Sequence, residues 1–254
     1  MKGVLFYSGL KGGTGKTTLA LNSAVVLAYL WRDVSQYPVV FLDLTPSLGT
    51  ASIILMGDPA RAAASPSLSD YITGKLADPL RAFYVRVWNA EKGQFRLVFS
   101  YFSQNTPYMR RQLEYVLKLV RERLSPLVAL IDAPPLAIEG IVGGLVDCVV
   151  PVTTPDASAI EAVRSRIDAI NAKRLRPVLN MYMPEYPVSA IHAAPWERVM
   201  ESAFGEPPHI VPFDRLLHAT RQAVEVEVLK LRPSESPAVR AILAYAKYLS
   251  TVVV

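Results

Sequence analysis

Eight consecutive residues, Lys11-Gly12-Gly13-Thr14-Gly15-Lys16-Thr17-Thr18, combine glycines, hydroxyls and two lysines at a spacing suited to phosphate. Glycines at 12, 13 and 15 open backbone conformations closed to residues with a β-carbon, so successive N–H groups can turn inward as a nest for phosphate oxygens. The segment follows Val4-Leu5-Phe6-Tyr7, an apolar run that reads as a buried strand, and leads into Leu19-Ala20-Leu21-Asn22, which opens a helical pattern. A strand, a glycine loop and a helix N-terminus together make an anion site. In that setting Lys16 reaches the β- and γ-phosphates, the Thr17 hydroxyl is a ligand to Mg²⁺, and Thr18 bonds the α-phosphate.

Two acids complete the chemistry. Asp43 closes the run Phe41-Leu42-Asp43, and Asp132 closes Val128-Ala129-Leu130-Ile131-Asp132. A carboxylate at the carboxyl end of a parallel strand lies where open α/β sheets bind ligands. Asp43 can hold a Mg²⁺-bound water there or simply cap a turn, and Asp132 suits the metal-side acid of a phosphoryl-transfer site.

Lys11 narrows the field. With this loop the chain resembles the deviant Walker A ATPases of the ParA/MinD group. The resemblance implies a nucleotide-sandwich homodimer with ATP, in which Lys11 crosses to the partner's phosphates, and a mostly monomeric ADP form. It implies that ATP and Mg²⁺ are the cofactors. It makes Phe41-Leu42-Asp43-Leu44-Thr45-Pro46-Ser47-Leu48-Gly49 the first switch, where the family carries a second aspartate two positions after the first and this chain carries Thr45. A threonine hydroxyl orients water but is a poor general base, so hydrolysis is expected to be slow or to need a partner. Asp132-Ala133-Pro134-Pro135 leads into residues 136–144 as the second switch, with Gly140, Gly143 and Gly144 giving it freedom. The resemblance continues through Val150 to Asp156 and the helical stretch 157–172. It extends to Asn180, whose amide would contact adenine, and to Pro212 and Asp214 near the base.

The elements that must position these residues follow from alternation. Val39 to Leu42, Phe95 to Phe99, Leu127 to Ile131, Cys148 to Val152 and Pro177 to Asn180 read as strands. Between them lie amphipathic stretches such as Arg110 to Leu124, with Leu113, Val116, Leu117 and Val120 on one face. This predicts an α/β fold of the P-loop kind: one domain over residues 1–254, its mostly parallel sheet covered by helices on both faces. Residues 58–69, rich in alanine and proline, read as a mobile surface excursion, and residues 182–196 as an irregular insertion.

At 254 residues and 51% apolar content the chain can bury a sizeable core, and no 18-residue apolar run suggests a membrane span or leader, which points to the cytoplasm. Cys148 is alone, so a disulfide framework or a CxxC metal or iron–sulfur site within one chain is excluded. That counts against the iron–sulfur carriers, nitrogenase iron proteins and tail-anchored-protein targeting ATPases among relatives of the group. His192, His209 and His218 show no ligand spacing. A net charge of +5 permits an anionic partner. Arg164, Arg166, Lys173, Arg174 and Arg176 form one basic concentration; Arg110, Arg111, Lys118, Arg121 and Arg123 form another. Each reads either as a solvated face or as a site for non-specific DNA. The stretch 238–254 places Val239, Ile242, Leu243, Ala246 and Leu249 on one stripe with only Arg240 and Lys247 as basic residues, which favours packing on the core over a membrane surface.

The functional expectation is a dimerising Mg-ATP-dependent ATPase in DNA partitioning or in positioning of a cellular structure, with a stimulating protein partner. A nucleotide-gated binding module that hydrolyses little is the second reading. A metabolic relative, such as a biotin-pathway synthetase or a cobyrinic acid amidating enzyme, is the third, and those lack the early lysine.

Overall fold

The computed structural model describes residues 1–91, 93–105, 107–189 and 194–253, with only the backbone of residues 221 and 222. The elements in chain order begin with β1 (Lys2–Tyr7), α1 (Lys16–Leu30), β2 (Val39–Asp43), α2 (Thr50–Met56), α3 (Pro59–Ala64) and α4 (Leu68–Ile72). A hairpin follows, β3 (Tyr84–Ala90) and β4 (Gly93–Tyr101), then α5 (Arg110–Leu119), β5 (Val128–Asp132), α6 (Glu139–Val142), β6 (Cys148–Thr153) and α7 (Ala157–Arg164). The chain continues with β7 (Lys173–Arg174), β8 (Val178–Tyr182), α8 (Trp196–Phe204), β9 (His209–Pro212), α9 (Arg215–Gln222), α10 (Glu227–Lys230) and α11 (Pro237–Val252).

Among the described residues the strands form one sheet in the order β3-β4-β2-β5-β1-β6-β8-β9, with β7 also beside β6. All pairings are parallel except β3 with β4. Side-chain alternation divides the core into two layers. Val4, Phe6 and Phe41 face one layer with α1 and α11, and Leu5, Tyr7 and Leu42 face the other with α5, α7 and α8. The central strands read as continuous apolar runs because both faces are covered. α1 is buried almost all round, since α11, α10 and α2 cover the side away from the sheet.

α11 lays Val239, Ile242, Tyr245, Ala246 and Leu249 on the core, all at most 1% exposed, as its apolar stripe predicts. Burying Val239, Ile242 or Leu249 contributes about 1.5–3 kcal/mol each. Leu243 is only half-buried. No described helix is long and apolar enough to cross a membrane.

Several expectations need correction. Residues 58–69 lie largely on the surface, as expected, but are built as two short helices. Asp58 caps α3 by accepting from the Ala60 N–H, Ser67 and Asp70 form a capping box on α4, and Ala62 and Leu68 are buried. The helix expected over 110–124 ends at Leu119 and continues as a π-turn from Val120 to Leu124. The one expected over 157–172 breaks after Arg164 and resumes as a 3₁₀ turn, Ile167–Ile170. The segment 136–144 holds the short helix α6 rather than a free loop. β3 and β7 are strands that no apolar run in the sequence announces. His192 lies outside the described residues.

Candidate functional site

β1 has β5 on one side and β6 on the other, while the chain after it passes first to β2 beyond β5, so the strand order reverses beside β1. In open α/β sheets a crevice opens at that reversal, outside the carboxyl ends of the strands. The glycine loop leaves β1 there. In register, Phe6 of β1 lies beside Asp132 of β5, and Asp132 beside Asp43 of β2, so three strand ends converge under the loop.

The loop is built on two left-handed glycines, Gly13 at φ 74° and Gly15 at φ 77°. Gly12, expected to share that role, does not: its φ is not positive, and a β-carbon there would meet nothing within 4 Å. Gly15 is the tight position, since a β-carbon on it would fall 2.0 Å from the Asn180 amide nitrogen. That amide donates to the Thr14 carbonyl at 2.7 Å, tying β8 to the loop from behind. Ser8 donates to the Lys11 carbonyl and closes the loop's entrance.

Lys16 starts α1 and is buried. Its ammonium donates to Asp132 Oδ1 at 2.6 Å, and Asp132 is fully buried. Asp132 Oδ2 has no hydrogen-bond partner, and the buried Thr18 hydroxyl also has none. Asp43 accepts from the Thr45 N–H at 3.1 Å and from the Ser52 hydroxyl at 2.8 Å. Burial, and then the charge of Asp132, push the Asp43 carboxyl up to about 6, against the opposing pull of its hydrogen bonds from Thr45 and Ser52. Gly49 closes over this carboxylate so tightly that a β-carbon there would come within 2.5 Å of Oδ2. Ser52 escapes a reading by motif, because it lies nine residues from Asp43 and beyond the switch segment.

A cleft of about 260 Å³ opens over these groups, lined by residues of the loop with Ser8, Thr17, Thr45, Thr50 and Pro135. The donor set fits Mg²⁺ with a polyphosphate: an orphaned buried carboxylate oxygen beside a second carboxylate, with the half-buried Thr17 at the rim. Mg²⁺ keeps waters and phosphate oxygens as ligands and needs few from protein. Among the described residues no group of three acidic, histidine or cysteine side chains forms a self-contained metal cage. A narrower cleft of about 40 Å³ continues past Thr18 to Asn180, Met181, Pro212, Phe213 and Asp214. Asp214 lines it but is committed to structure. Oδ1 caps α9 by accepting from Leu216 N–H, and Oδ2 accepts from the Ser236 hydroxyl that caps α11.

Lys11 stands at the rim, its side chain 43% exposed, and donates to the Ser158 hydroxyl at 2.9 Å while pairing with Asp156 at 3.2 Å. Asp156 caps α7 through Ser158 N–H. The Ser158 hydrogen bonds, more than Lys11, hold its carboxyl below the usual range. Within residues 136–144, buried Glu139 of α6 accepts from the Tyr7 hydroxyl, and Arg166 approaches it at 3.6 Å. The Arg110 guanidinium donates to the Gly143 carbonyl.

The first basic concentration is largely spent within the fold. Arg164 pairs with Glu161, Arg166 with Glu139 and Arg174 with Asp168, and Arg176 donates to the carbonyls of Pro207 and Pro208. In the second, Arg110 and Lys118 are engaged likewise. A larger groove of about 420 Å³ runs between α7 and α8, but among the described residues it offers no comparable set of buried, unpaired groups. His209 shares a hydrogen bond with the Ala241 carbonyl against Tyr245, and His218 lines the narrow cleft.

No family model and no curated protein sequence matches the chain. Solved structures do match along almost its whole length. The septum site-determining protein MinD from Pyrococcus horikoshii, complexed with Mg-ADP, is similar at TM-score 0.74 and 21% identity, over 99% of this chain and 96% of that one. A ParA family ATPase from Chlorobium tepidum is similar at 0.67 and 16%, over 98% of both chains. An ATP complex of McdA from Cyanothece is similar at 0.63 and 16%, over 99% and 97%. The chain has the fold these proteins share.

Proposed function

We propose that the chain is a Mg-ATP-dependent, dimerising ATPase of the ParA/MinD kind, acting in the cytoplasm in DNA partitioning or in the positioning of a cellular structure. The observation that carries the reading is the pairing of two lysines with two acids around one cradle: Lys16 buried on Asp132 beneath the loop, and Lys11 held at the rim by Asp156. The metabolic relatives do not account for Lys11. The names of the neighbours, a septum site-determining protein and a ParA family ATPase, support the same class.

In this reading each residue has a task. Lys16 leaves Asp132 for the β- and γ-phosphates, and the loop N–H groups hold the remaining oxygens. Asp132, Asp43 and Thr17 would hold Mg²⁺, which when bound would offset the negative charge that develops on the phosphates. Thr18 supplies its unpartnered hydroxyl to the α-phosphate. Asn180 keeps one N–H and its carbonyl oxygen beyond the Thr14 bond, enough to donate to and accept from a base edge. Lys11 exchanges Asp156 and Ser158 for phosphate of a second subunit.

The second reading, a nucleotide-gated module that dimerises and recruits a protein partner with little hydrolysis, is favoured by Thr45. Its backbone is fixed on Asp43, its side chain lines the phosphate cleft, and it offers no carboxylate to take a proton from water. ATP turnover with Mg²⁺, with and without non-specific double-stranded DNA, separates the readings. Turnover that rises with DNA supports the partition-type ATPase. Tight ATP binding without turnover, restored by Thr45→Asp, supports the module.

A further inference from the structure

We propose that β3 is a homotypic docking edge through which two copies of this chain pair their sheets antiparallel about a two-fold axis at Val87. The inference is independent of the nucleotide reading, because the edge lies four strands from β1, about 19 Å at the usual strand spacing.

A sheet has two edges, and this one treats them differently. β9 is four residues long, ends in Pro212, and is packed by α11. β3 is seven residues, Tyr84-Val85-Arg86-Val87-Trp88-Asn89-Ala90, and among the described residues only β4 pairs with it. Soluble proteins guard such edges with proline, lysine, bulges or inward charges. β3 has no proline, no lysine and an unbroken register with β4 from Tyr84↔Phe99 to Ala90↔Gly93. Its one guard is the inward charge of Arg86, half-buried on the core face near Gly57 at the C-terminal end of α2, and pairing about Val87 gives that charge an aromatic partner. Val85 and Val87 remain 46% and 43% exposed on the opposite face.

The strand is also complementary to itself. With Val87 opposite Val87, the cross-strand pairs are Val85 with Asn89, Arg86 with Trp88, and Tyr84 with Ala90. Each Arg86 then meets the partner's indole, an attractive cation–π pair, and two β-branched side chains meet on the axis. Centring the axis on Arg86 would set like charges opposite each other, which is unfavourable. Trp88 is already oriented by stacking on Phe95 at 5.2 Å, so little side-chain freedom remains to be lost on pairing. A contact between identical patches is the closed, isologous kind that stops at a dimer.

The test uses nucleotide-free protein in a chelator, so that failure of the ATPase reading cannot affect it. Two chains with a cysteine on the two-fold have Cα atoms within disulfide reach, whereas the native Cys148 is buried. Val87→Cys is expected to give a disulfide-linked dimer at least about tenfold faster than Val188→Cys, a comparably exposed valine that follows β8 toward the other edge of the sheet, because pairing raises the local thiol concentration. Light scattering is expected to report twice the 27.9 kDa chain mass for wild type, and the single-chain mass for the double variant Val85→Lys/Val87→Lys. Equal cross-linking of the two cysteine variants, a monomeric wild type, or a dimer that survives the double lysine substitution would each overturn the proposal.

Discussion

Replacing Asp43 by asparagine is expected to stabilise the protein in the absence of nucleotide and metal. Asp43 is fully buried beside a second carboxylate, and its folded-state value is raised from 3.8 to about 6. A raised carboxyl favours folding below its unfolded value, and that advantage is lost as the pH climbs through about 6. Relative to a neutral side chain, the ionised group therefore costs about 3 kcal/mol at pH 8, and about half of that at pH 5, where most of it is protonated. Asparagine keeps the local bonds. Its oxygen can accept from Thr45 N–H, and its NH₂ can donate to the Ser52 hydroxyl oxygen, which now donates to Asp43. For a chain of this length about 3 kcal/mol corresponds to a rise in Tm on the order of 6 °C or more. Thermal unfolding in a chelator at pH 8 and pH 5 measures both the sign and its pH dependence. A lower Tm for Asp43→Asn at pH 8, or the same difference at both pH values, would refute a carboxylate held uphill at this position. Adding Mg-ATP should reverse the order, raising the Tm of wild type more than that of the variant.

Gly15→Ala should abolish ATP binding and cost about 1–3 kcal/mol, because it combines φ 77° with a collision at the Asn180 amide, whereas Gly12→Ala should leave the melting curve almost unchanged; isothermal titration and thermal unfolding check both. Lys11→Ala should change stability by at most about 1 kcal/mol, since its ion pair is surface-exposed, yet remove the ATP-driven increase in mass seen by light scattering. Asp156→Ala, which frees the same ammonium, should lower the ATP concentration needed for that increase. Tyr7→Phe should destabilise by about 1–3 kcal/mol, measured by denaturant unfolding, because the buried Glu139 loses its donor and only Arg166 remains near it.

The parts of this fold legible in the sequence are those whose signal is local. Val39 to Leu42 and Val128 to Ile131 declare themselves as strands because burial on both faces demands unbroken apolar runs. The phosphate loop is legible because its chemistry needs contiguous backbone N–H groups. β3 is hidden for the opposite reason. Only alternate residues face the core, and Arg86, half-buried there, breaks even the alternation of polarity. The helical pattern at 157–172 is amphipathic throughout, and nothing in its periodicity marks the turn taken after Arg164.

The site is legible as a set of residue types and illegible as a set of partnerships. Lys16 meets Asp132 from 116 positions away, Asn180 meets Thr14 across 166, and Lys11 meets Ser158 across 147. No periodicity spans such separations, because they are created by strand order and not by local preference. Their consequence is that every cation of the cradle is occupied within the chain itself: Lys16 by Asp132 below, Lys11 by Asp156 beside it. A polyphosphate entering the cleft must displace both pairs, and the two differ in kind. Breaking the buried pair leaves Asp132 with a charge that a divalent cation can compensate, so metal and phosphate should enter together. Breaking the exposed pair costs little, which leaves Lys11 available to a second subunit at small expense. Under the proposed function burial thus orders the events: the inner lysine would couple nucleotide to metal, and the outer one would couple nucleotide to assembly.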